Sequence, residues 1–271
     1  MKIHPTAIIG KNVQLAEGVE IGPYAVIDGE EIVIGKDTRI MAHANICGYT
    51  YIGEKNVIHM GVVLGHEPQD LEFKNERSCL RIGNNNIIRE YCWFHRGTKP
   101  GSETVIGDGN YFMGFAHVAH NCRIGNRTII ASNTLLAGYV EVGDKAFVSG
   151  NIVVHQFTRI GANAMVSGLS AVNKDIPPYM LAGGRPAVVS GLNVVGLRRA
   201  GFNSDQRLAM KRAHDILFRQ RLAIKRAVAV LEELPKSPEV DNIIEFIKNS
   251  KRGLCSSSAS KHAQPFDSES E

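Results

Sequence analysis

Residues 106–172 read IGDGNYFMGFAHVAHNCRIGNRTIIASNTLLAGYVEVGDKAFVSGNIVVHQFTRIGANAMVSGLSAV. A large apolar residue stands at every sixth position, and the set is Ile106, Phe112, Val118, Ile124, Ile130, Leu136, Val142, Val148, Val154, Ile160, Val166 and Val172. Neither the helical period of 3.6 nor the strand period of 2 gives this spacing, so the unit is a short strand plus a turn. Three units make a coil of about 18 residues whose apolar side chains stack on those of the next coil. The stretch therefore predicts an all-β solenoid.

The same spacing continues toward the N-terminus. It runs from Ile9 to Leu64 with one extra residue near Glu30, breaks after His66 and returns at Ile82. A break in a regular repeat indicates a loop extruded from the coil. We expect a β-helix over residues 1–190, with loops at about 66–80 and 98–105.

The C-terminal part has a different pattern. Proline at 177 and 178 ends the coil, because proline cannot donate to a continuing ladder. Helical spacing then predicts one amphipathic helix from Ser204, as its N-cap, to Leu231, and a second helix that starts at Ser237. Residues 191–253 are therefore predicted to form a helical domain. The Ser-rich residues 254–271 have too little apolar content to pack and are expected to be disordered.

Length and composition fit one soluble catalytic domain with a small appendage. The five cysteines form no CxxC pair, which suits a reducing compartment. Because the repeats begin almost at once with Ile3, we expect no signal peptide, and no apolar run reaches the roughly 18 residues that span a bilayer. We expect a cytoplasmic protein without a membrane-spanning segment.

The net charge of +4 is concentrated in the C-terminal helices. Many of the basic residues lie there, among them Arg198, Arg199, Arg207, Lys211, Arg212, Arg219, Arg221, Lys225 and Arg226. They form either an ordinary solvated face or a positively charged surface for an acidic macromolecule or a phosphorylated ligand. No nucleic-acid-binding motif is present and the arginines are not interleaved with aromatic residues, so nucleic acid is not an expected partner.

Histidines mark the candidate site for chemistry. His117 and His120 flank Val118, which points into the coil, so both imidazoles lie on the outer surface or at a corner. His155 follows about two coils later. An imidazole with an ordinary pKa near 6.5 can accept a proton at neutral pH, so general-base chemistry is possible here.

Several motifs together resemble one enzyme family. They are AHVAHNC at 116–122, VHQF at 154–157, DIPPY at 175–179, GLN at 191–193 and GLRRAGF at 196–202. In this order they are similar to the acyl-carrier-protein-dependent UDP-N-acetylglucosamine O-acyltransferases, and the similarity extends to about Gly253. The hexapeptide repeats of that family form a left-handed parallel β-helix, so the resemblance implies this winding.

The resemblance also implies the reaction. A 3-hydroxyacyl chain, carried on the phosphopantetheine of acyl carrier protein, is transferred to the 3-hydroxyl of UDP-N-acetylglucosamine in the first step of lipid A synthesis, without another cofactor. The implied assembly is a homotrimer with the active site between neighbouring β-helices. His120 matches the general base, and the backbone amide of Gly138, one coil of 18 residues above it, matches the donor to the oxyanion.

Further residues take their roles from the resemblance. Those that match contacts to the sugar, the uridine or the phosphates are Gln69, Asp70, His117, Tyr139, His155, Gln156, Asn193 and Arg199. Arg199 suits a diphosphate because of its fixed fork of donors. Gly168 matches the position that limits acyl-chain length.

The chain departs from the family pattern at Asn121, Tyr139, Glu72 and the pair Val195 and Ala200. Asn121 stands where an aspartate usually follows the base. The loss of this carboxylate weakens the pull of the base on a proton. Because an amine needs less help from a base, the 3-amino analogue of UDP-N-acetylglucosamine is an alternative acceptor.

Three other functions are compatible with hexapeptide repeats, and the sequence argues against each. A sister enzyme that N-acylates 3-O-acylated glucosamine has a domain before its β-helix, whereas here the coil starts by Ile3. A non-catalytic hexapeptide scaffold has no reason to keep the five polar residues His117, His120, His155, Gln156 and Arg199 together. A zinc site like that of the γ-class carbonic anhydrases needs three convergent ligands, and no third histidine pairs with His117 and His120, so no metal is expected.

Overall fold

Short strands make up most of the computed structural model, which describes residues 1–257. The first ten are β1 (Lys2–Ile3), β2 (Ile8–Ile9), β3 (Val13–Leu15), β4 (Glu20–Ile21), β5 (Val26–Ile27), β6 (Glu31–Ile34), β7 (Arg39–Ile40), β8 (Asn45–Ile46), β9 (Tyr49–Ile52) and β10 (Val57–Ile58). The next ten are β11 (Val63–His66), β12 (Cys79–Ile82), β13 (Ile87–Ile88), β14 (Trp93–His95), β15 (Glu103–Ile106), β16 (Tyr111–Phe112), β17 (His117–Val118), β18 (Arg123–Ile124), β19 (Ile129–Ile130) and β20 (Leu135–Leu136). The last eight are β21 (Glu141–Val142), β22 (Phe147–Val148), β23 (Val153–Val154), β24 (Arg159–Ile160), β25 (Met165–Val166), β26 (Ala171–Val172), β27 (Met180–Gly184) and β28 (Ala187–Leu192).

Every third strand belongs to the same parallel sheet. Sheet 1 runs from β1 to β25 and ends in the antiparallel hairpin of β27 and β28, sheet 2 runs from β2 to β26, and sheet 3 from β3 to β24. His117 pairs with Leu135, and 135 minus 117 gives a coil of 18 residues. Near Glu30 the step is 19, since Val26 pairs with Asn45. The predicted β-solenoid is confirmed, and its winding sense stays a prediction.

The six-spaced apolar residues fill the inside of the coil. Val118, Leu136 and Val154 lie above one another in sheet 2 and are at most 3% exposed. Each buried side chain of this size contributes about 1.5–3 kcal/mol relative to exposure, so the stack is the main stabilising feature. No single coil encloses this core, so its stability depends on neighbouring coils.

The three sheets form the faces of a prism. Its first, second and third edges are the turns from sheet 1 to sheet 2, from sheet 2 to sheet 3 and from sheet 3 to sheet 1, and the second edge carries both extruded loops. The second edge, where sheet 2 passes to sheet 3, includes residues 119–122, 137–140 and 155–158. Loop 1 (residues 67–78, between β11 and β12) and loop 2 (residues 96–102, between β14 and β15) leave the same edge. Loop 2 ends before the predicted 98–105, because residues 103–106 pair with Cys79–Ile82 in sheet 3. Both loops therefore lie over one column of turns.

Those turns use left-handed backbone. Asn121, Tyr139 and Phe157 occupy equivalent positions in successive coils, with φ of 59°, 60° and 63°. Such φ values are unfavourable for most residues other than asparagine and glycine. Two aromatic residues at these positions show that the coil geometry overrides local preference.

Four helices follow the coil. They are α1 (Val194–Arg199), α2 (Ser204–Phe218), α3 (Ile224–Glu232) and α4 (Pro238–Lys248). The prediction of one helix from Ser204 to Leu231 is wrong, because the chain turns between α2 and α3, where Arg221 has φ of 53°. Met210 of α2 and Leu231 of α3 are both buried in the common core, so the helical spacing came from two packed helices.

The start of α2 also differs from the prediction. The N-cap is Asn203 rather than Ser204: Asn203 accepts from the Gln206 backbone, and the Gln206 side chain accepts from the Asn203 backbone. This reciprocal capping box satisfies two helix-end donors.

The first residues of the predicted disordered tail are ordered. Leu254 forms a bridge to Asp175, Ser257 forms one to Val189, and Cys255 is 2% exposed. This part of the prediction is wrong because the segment pairs with the end of the coil. Residues 258–271 lie outside the described part of the chain. Within residues 1–257, no helix combines the length and the apolar character needed to cross a bilayer.

Candidate active site

A cavity of about 1100 Å³ opens on the second edge, beneath the two loops. Loop 1 contributes Gln69 and Asp70 to its lining, and the coil contributes His120, Tyr139 and Gln156. These five predicted site residues come from separate parts of the chain, and the 18-residue register brings them together. The cavity is therefore the candidate active site.

His120 lies in the turn after β17 with its side chain 13% exposed. Its Nε2 is 3.9 Å from Oδ2 of Asp70, which exceeds hydrogen-bond distance. On the other side of the ring, Nδ1 lies 3.1 Å from Oδ1 of Asn121. Tyr139 contacts the imidazole edge to face, with ring centroids 5.5 Å apart. The imidazole is thus positioned on three sides.

Gly138 lies directly above His120. A Cβ at this position would be 2.4 Å from Cε1 and 2.6 Å from Nε2 of His120, so only glycine fits beside the ring. Within residues 1–257 the Gly138 N–H has no protein acceptor, whereas the neighbouring Tyr139 N–H donates to His120 O at 3.0 Å. A backbone donor without a protein partner is therefore close to the imidazole, although Gly138 is buried and does not itself line the cavity.

His117 lies on the outer face of β17, covered by neighbouring rings. Its ring centroid is 5.3 Å from that of Trp93 and 5.1 Å from that of His95. Burial, together with His95 and His120, lowers the pKa of His117 to about 4. Among the described residues its Nε2 has no hydrogen-bond partner. His117 is therefore neutral at neutral pH and able to donate or accept one hydrogen bond.

His95 was not predicted from the sequence. Its Nδ1 lies 2.6 Å from the carbonyl oxygen of Glu67, so it holds the start of loop 1. Burial lowers the pKa of His95, so the ring is neutral and Nδ1 can donate. The available signal was its position: it follows the core residue Phe94 immediately before loop 2.

The next coil adds an aromatic pair and polar groups. Phe157 stacks on Tyr139 at 4.9 Å with an interplanar angle of 21°. Gln156 lines the cavity, and Nδ1 of the exposed His155 lies 3.1 Å from the Gln156 carbonyl oxygen. Because Phe157 is 49% exposed, the pair forms an open apolar wall at one end of the cavity.

Three predicted residues lie elsewhere in the single chain. Asn193 is buried and donates to the carbonyl of Asn163, on the third edge, where sheet 3 passes to sheet 1. Arg199 ends α1, and Gly168 lies on the first edge, between β25 and β26. None of the three lines the cavity at His120. One chain therefore supplies only part of the predicted set.

The site contains no convergent metal ligands. Across residues 1–257, no group of three or more His, Cys, Asp or Glu side chains is placed to hold a metal ion. The chemistry that this arrangement offers is proton transfer by an imidazole beside a free backbone amide.

Comparison with known families supports the resemblance. The model described as UDP N-acetylglucosamine O-acyltransferase, domain 2, matches residues 175–255. The model described as bacterial transferase hexapeptide (six repeats) matches residues 103–138.

Curated relatives match nearly the full chain. An acyl-(acyl-carrier-protein)–UDP-N-acetylglucosamine O-acyltransferase of Thermodesulfovibrio yellowstonii is 48% identical over 256 residues, or 94% of this chain and 99% of that protein. The protein of the same name from Syntrophobacter fumaroxidans is 44% identical, with the same coverage.

Solved structures agree. The UDP-N-acetylglucosamine acyltransferase of Bacteroides fragilis superposes with a TM-score of 0.90 at 42% identity, covering 93% of this chain and 98% of that one. The enzyme of Francisella novicida superposes with a TM-score of 0.91 at 32% identity, covering 98% and 100%.

Proposed function

The chain belongs to the acyl-carrier-protein-dependent UDP-N-acetylglucosamine O-acyltransferase family and is an acyltransferase, and on that premise we propose that it forms an ester at the 3-hydroxyl of UDP-N-acetylglucosamine. The acyl donor is a 3-hydroxyacyl thioester on acyl carrier protein, and the product enters lipid A synthesis. The observation that supports the proposal is the closeness of Gly138, whose N–H has no protein acceptor among residues 1–257, to the His120 ring that lines the cavity.

His120 acts as the general base. A sugar hydroxyl is a poor nucleophile at neutral pH, and an imidazole within reach can take its proton as the oxygen attacks the thioester carbonyl. When the tetrahedral intermediate collapses, the C–S bond breaks and the imidazolium returns the proton to the leaving thiolate. The products are the 3-O-acyl sugar nucleotide and the free thiol of acyl carrier protein.

Gly138 stabilises the intermediate. Negative charge develops on the former carbonyl oxygen, and a backbone N–H that has no protein partner can donate to it without reorganisation. The closeness of Gly138 to the His120 ring supports a shared role of base and donor at one reacting centre. Removing one such donor typically costs roughly a hundredfold to a thousandfold in turnover.

Binding of the sugar nucleotide is shared between subunits. Gln69 and Asp70 line the cavity with His120 on one chain, and His117 lies on the preceding strand, whereas Asn193 contacts the third edge and Arg199 ends α1. In a trimer of parallel left-handed prisms, a neighbouring chain supplies these two residues to the nucleotide, with the Arg199 fork on the diphosphate. The site is then complete only in the assembly.

The 3-amino sugar nucleotide is the second candidate acceptor, and one observation favours it. The group hydrogen-bonded to Nδ1 of His120 is the neutral amide of Asn121 rather than a carboxylate. A neutral partner stabilises the imidazolium less, which costs more when the nucleophile is a hydroxyl than when it is an amine.

Separate assays with each acceptor distinguish the two candidates. Purified protein is given 3-hydroxyacyl-(acyl carrier protein) with UDP-N-acetylglucosamine or, in parallel, its 3-amino analogue, at one fixed pH. The acylated nucleotide is followed by mass, and mild base separates the ester, which hydrolyses, from the amide, which does not. The proposal expects base-labile product from the hydroxyl sugar, and product from the amino sugar alone would contradict it.

A further inference from the structure

Asn121 joins loop 2 to the catalytic imidazole. Its Oδ1 lies 3.1 Å from the backbone nitrogen of Thr98 and 3.0 Å from Thr98 Oγ1. The same oxygen lies 3.1 Å from Nδ1 of His120. Thr98 is buried, at 8% exposure, and its Oγ1 is also 3.3 Å from the hydroxyl of Tyr139. One amide oxygen therefore faces three possible donors.

The backbone contact determines which Asn121 atom occupies this position. A backbone N–H can only donate, so the atom facing Thr98 N must be the oxygen of the amide and not its NH₂ group. Because that oxygen only accepts, Nδ1 of His120 must carry the hydrogen between them. In the neutral ring the lone pair is then on Nε2, the nitrogen beside Gly138 and facing the cavity.

We propose that Thr98 and Asn121 are positioning residues that hold His120 in the tautomer with hydrogen on Nδ1. This rests on the proposed function, because only that tautomer leaves Nε2 free to accept the proton of the acceptor. A carboxylate accepts through either oxygen, whereas an amide can rotate and present NH₂ to the imidazole, which selects the unproductive tautomer. With Asn121 in place, Thr98 selects the productive orientation.

No other neighbour fixes this tautomer. Among residues 1–257, the charged or titratable groups near the ring are Asp70 from loop 1, Tyr139 from the coil above, His117 from β17 and His95 from β14. Asp70 Oδ2 is 3.9 Å from Nε2, too far for a hydrogen bond, and Tyr139 contacts the ring through its aromatic face or edge. Among residues 1–257, the hydrogen-bond partner of the His120 ring is the Asn121 side-chain oxygen.

Nitrogen NMR on the full-length protein measures the tautomer directly. Histidine is labelled with ¹⁵N, spectra are taken at pH 8, where imidazoles are neutral, and the His120 signals are those absent from His120→Gln. The expected result is a protonated Nδ1 and an unprotonated Nε2. In Asn121→Leu, which has similar volume and no acceptor, protonation is expected to shift toward Nε2. A wild-type ring protonated on Nε2, or an Asn121→Leu ring unchanged from wild type, would overturn the proposal.

Turnover gives a second, independent readout. Asn121→Leu is expected to lower kcat roughly tenfold to a hundredfold, part of what a general base contributes. Thr98→Val keeps the backbone donor and loses Oγ1, so a roughly threefold to tenfold fall is expected from one hydrogen bond. In the Asn121→Asp background, Thr98→Val should lower kcat less than about twofold, because a carboxylate accepts a hydrogen bond through either oxygen and needs no orienting partner.

Comparing Thr98→Val in the wild-type protein and in Asn121→Asp shows whether Thr98 orients the Asn121 amide or only stabilises loop 2. An equal loss from Thr98→Val in both backgrounds would mean that Thr98 supports loop 2 only, and would overturn its assigned role. The NMR measurement needs no substrate, so it also distinguishes the two proposals: a protein with the expected tautomer but no acyl transfer contradicts the proposed function and leaves the positioning intact.

Discussion

The imidazole of His120 leaves no space for a side chain on Gly138, since a Cβ there would lie 2.4 Å from Cε1 of the ring. Gly138→Ala must therefore displace the base, the amide or both. We expect kcat to fall roughly a hundredfold or more, because both base and oxyanion donor lose position. Gly114→Ala is the matched control: it occupies the same turn position on the first edge, and its Cβ would meet only Glu90 O at 3.3 Å. Equal activity of the two variants would contradict the assigned role.

Asn193 contacts the third edge and Arg199 ends α1, whereas His120 lies on the second edge, so the proposed site needs two chains. His120→Ala and Arg199→Ala are each expected to be inactive at low substrate when prepared alone. Co-expressed with different tags, they should form mixed trimers in which about one site in three combines an intact His120 with an intact Arg199. Purified mixed trimers are assayed against the two parents, and trimers with no more activity than the parents would rule out a shared site.

The lowered pKa of His117 makes stability depend on pH. At a folded pKa of about 4 the ring stays neutral over a range in which the unfolded chain, with an ordinary pKa of about 6.5, takes up a proton. The free energy of unfolding therefore falls as the pH drops from about 6.5 to about 4, with His117 contributing on the order of 2 kcal/mol once its partial exposure is considered. His95 acts in the same direction, since its pKa is also lowered.

Urea titrations at pH 7.5 and 4.5, at one protein concentration, measure this effect. His117→Phe keeps an aromatic ring and removes the titration, so the difference between the two pH values should shrink. His43→Phe is the control, because His43 is exposed and stacks on Tyr24. An unchanged difference in His117→Phe would mean that burial of this ring does not shape the pH profile.

Gly168 is expected to limit acyl-chain length. An added Cβ would meet only Gly150 O at 3.4 Å and Ser149 Cβ at 3.9 Å, so a Cβ fits here without moving the coil. Gly168→Met should therefore shift the preferred donor to a shorter chain, measured as kcat/KM across a series of acyl carrier proteins. Ser132→Met, at the same turn position two coils below, should keep the wild-type preference. If Gly168→Met keeps it as well, the ruler lies elsewhere.

The sequence predicted the coil well because each core position repeats the same requirement. The spacing of six follows from one inward residue per strand and turn, and nothing outside the repeat is needed to interpret it. The same register placed Gly138 above His120. The helical domain was less predictable, since the apolar spacing of α2 and α3 continues across the turn at Arg221 and resembles one long helix.

The site could be predicted only where it follows the register or the resemblance. His95, at the end of β14, and Thr98, in loop 2, were missed because both lie outside the sixfold core positions. Their contacts with Glu67 and Asn121 join segments far apart in sequence. The ordering of Leu254 and Cys255 was missed for the same reason: polar flanks suggested disorder, whereas pairing with Asp175 depends on tertiary structure.

Turnover of His120→Ala tests the central claim most directly. The variant is compared with wild type and with His43→Ala for transfer of a 3-hydroxyacyl chain from acyl carrier protein to UDP-N-acetylglucosamine, after circular dichroism and mass in solution show that fold and assembly are retained. We predict that kcat falls by roughly a hundredfold to ten-thousandfold for the hydroxyl acceptor, the range that a general base contributes, while His43→Ala stays near wild type. Retained turnover in a correctly assembled His120→Ala protein would contradict the assignment of this imidazole as the base.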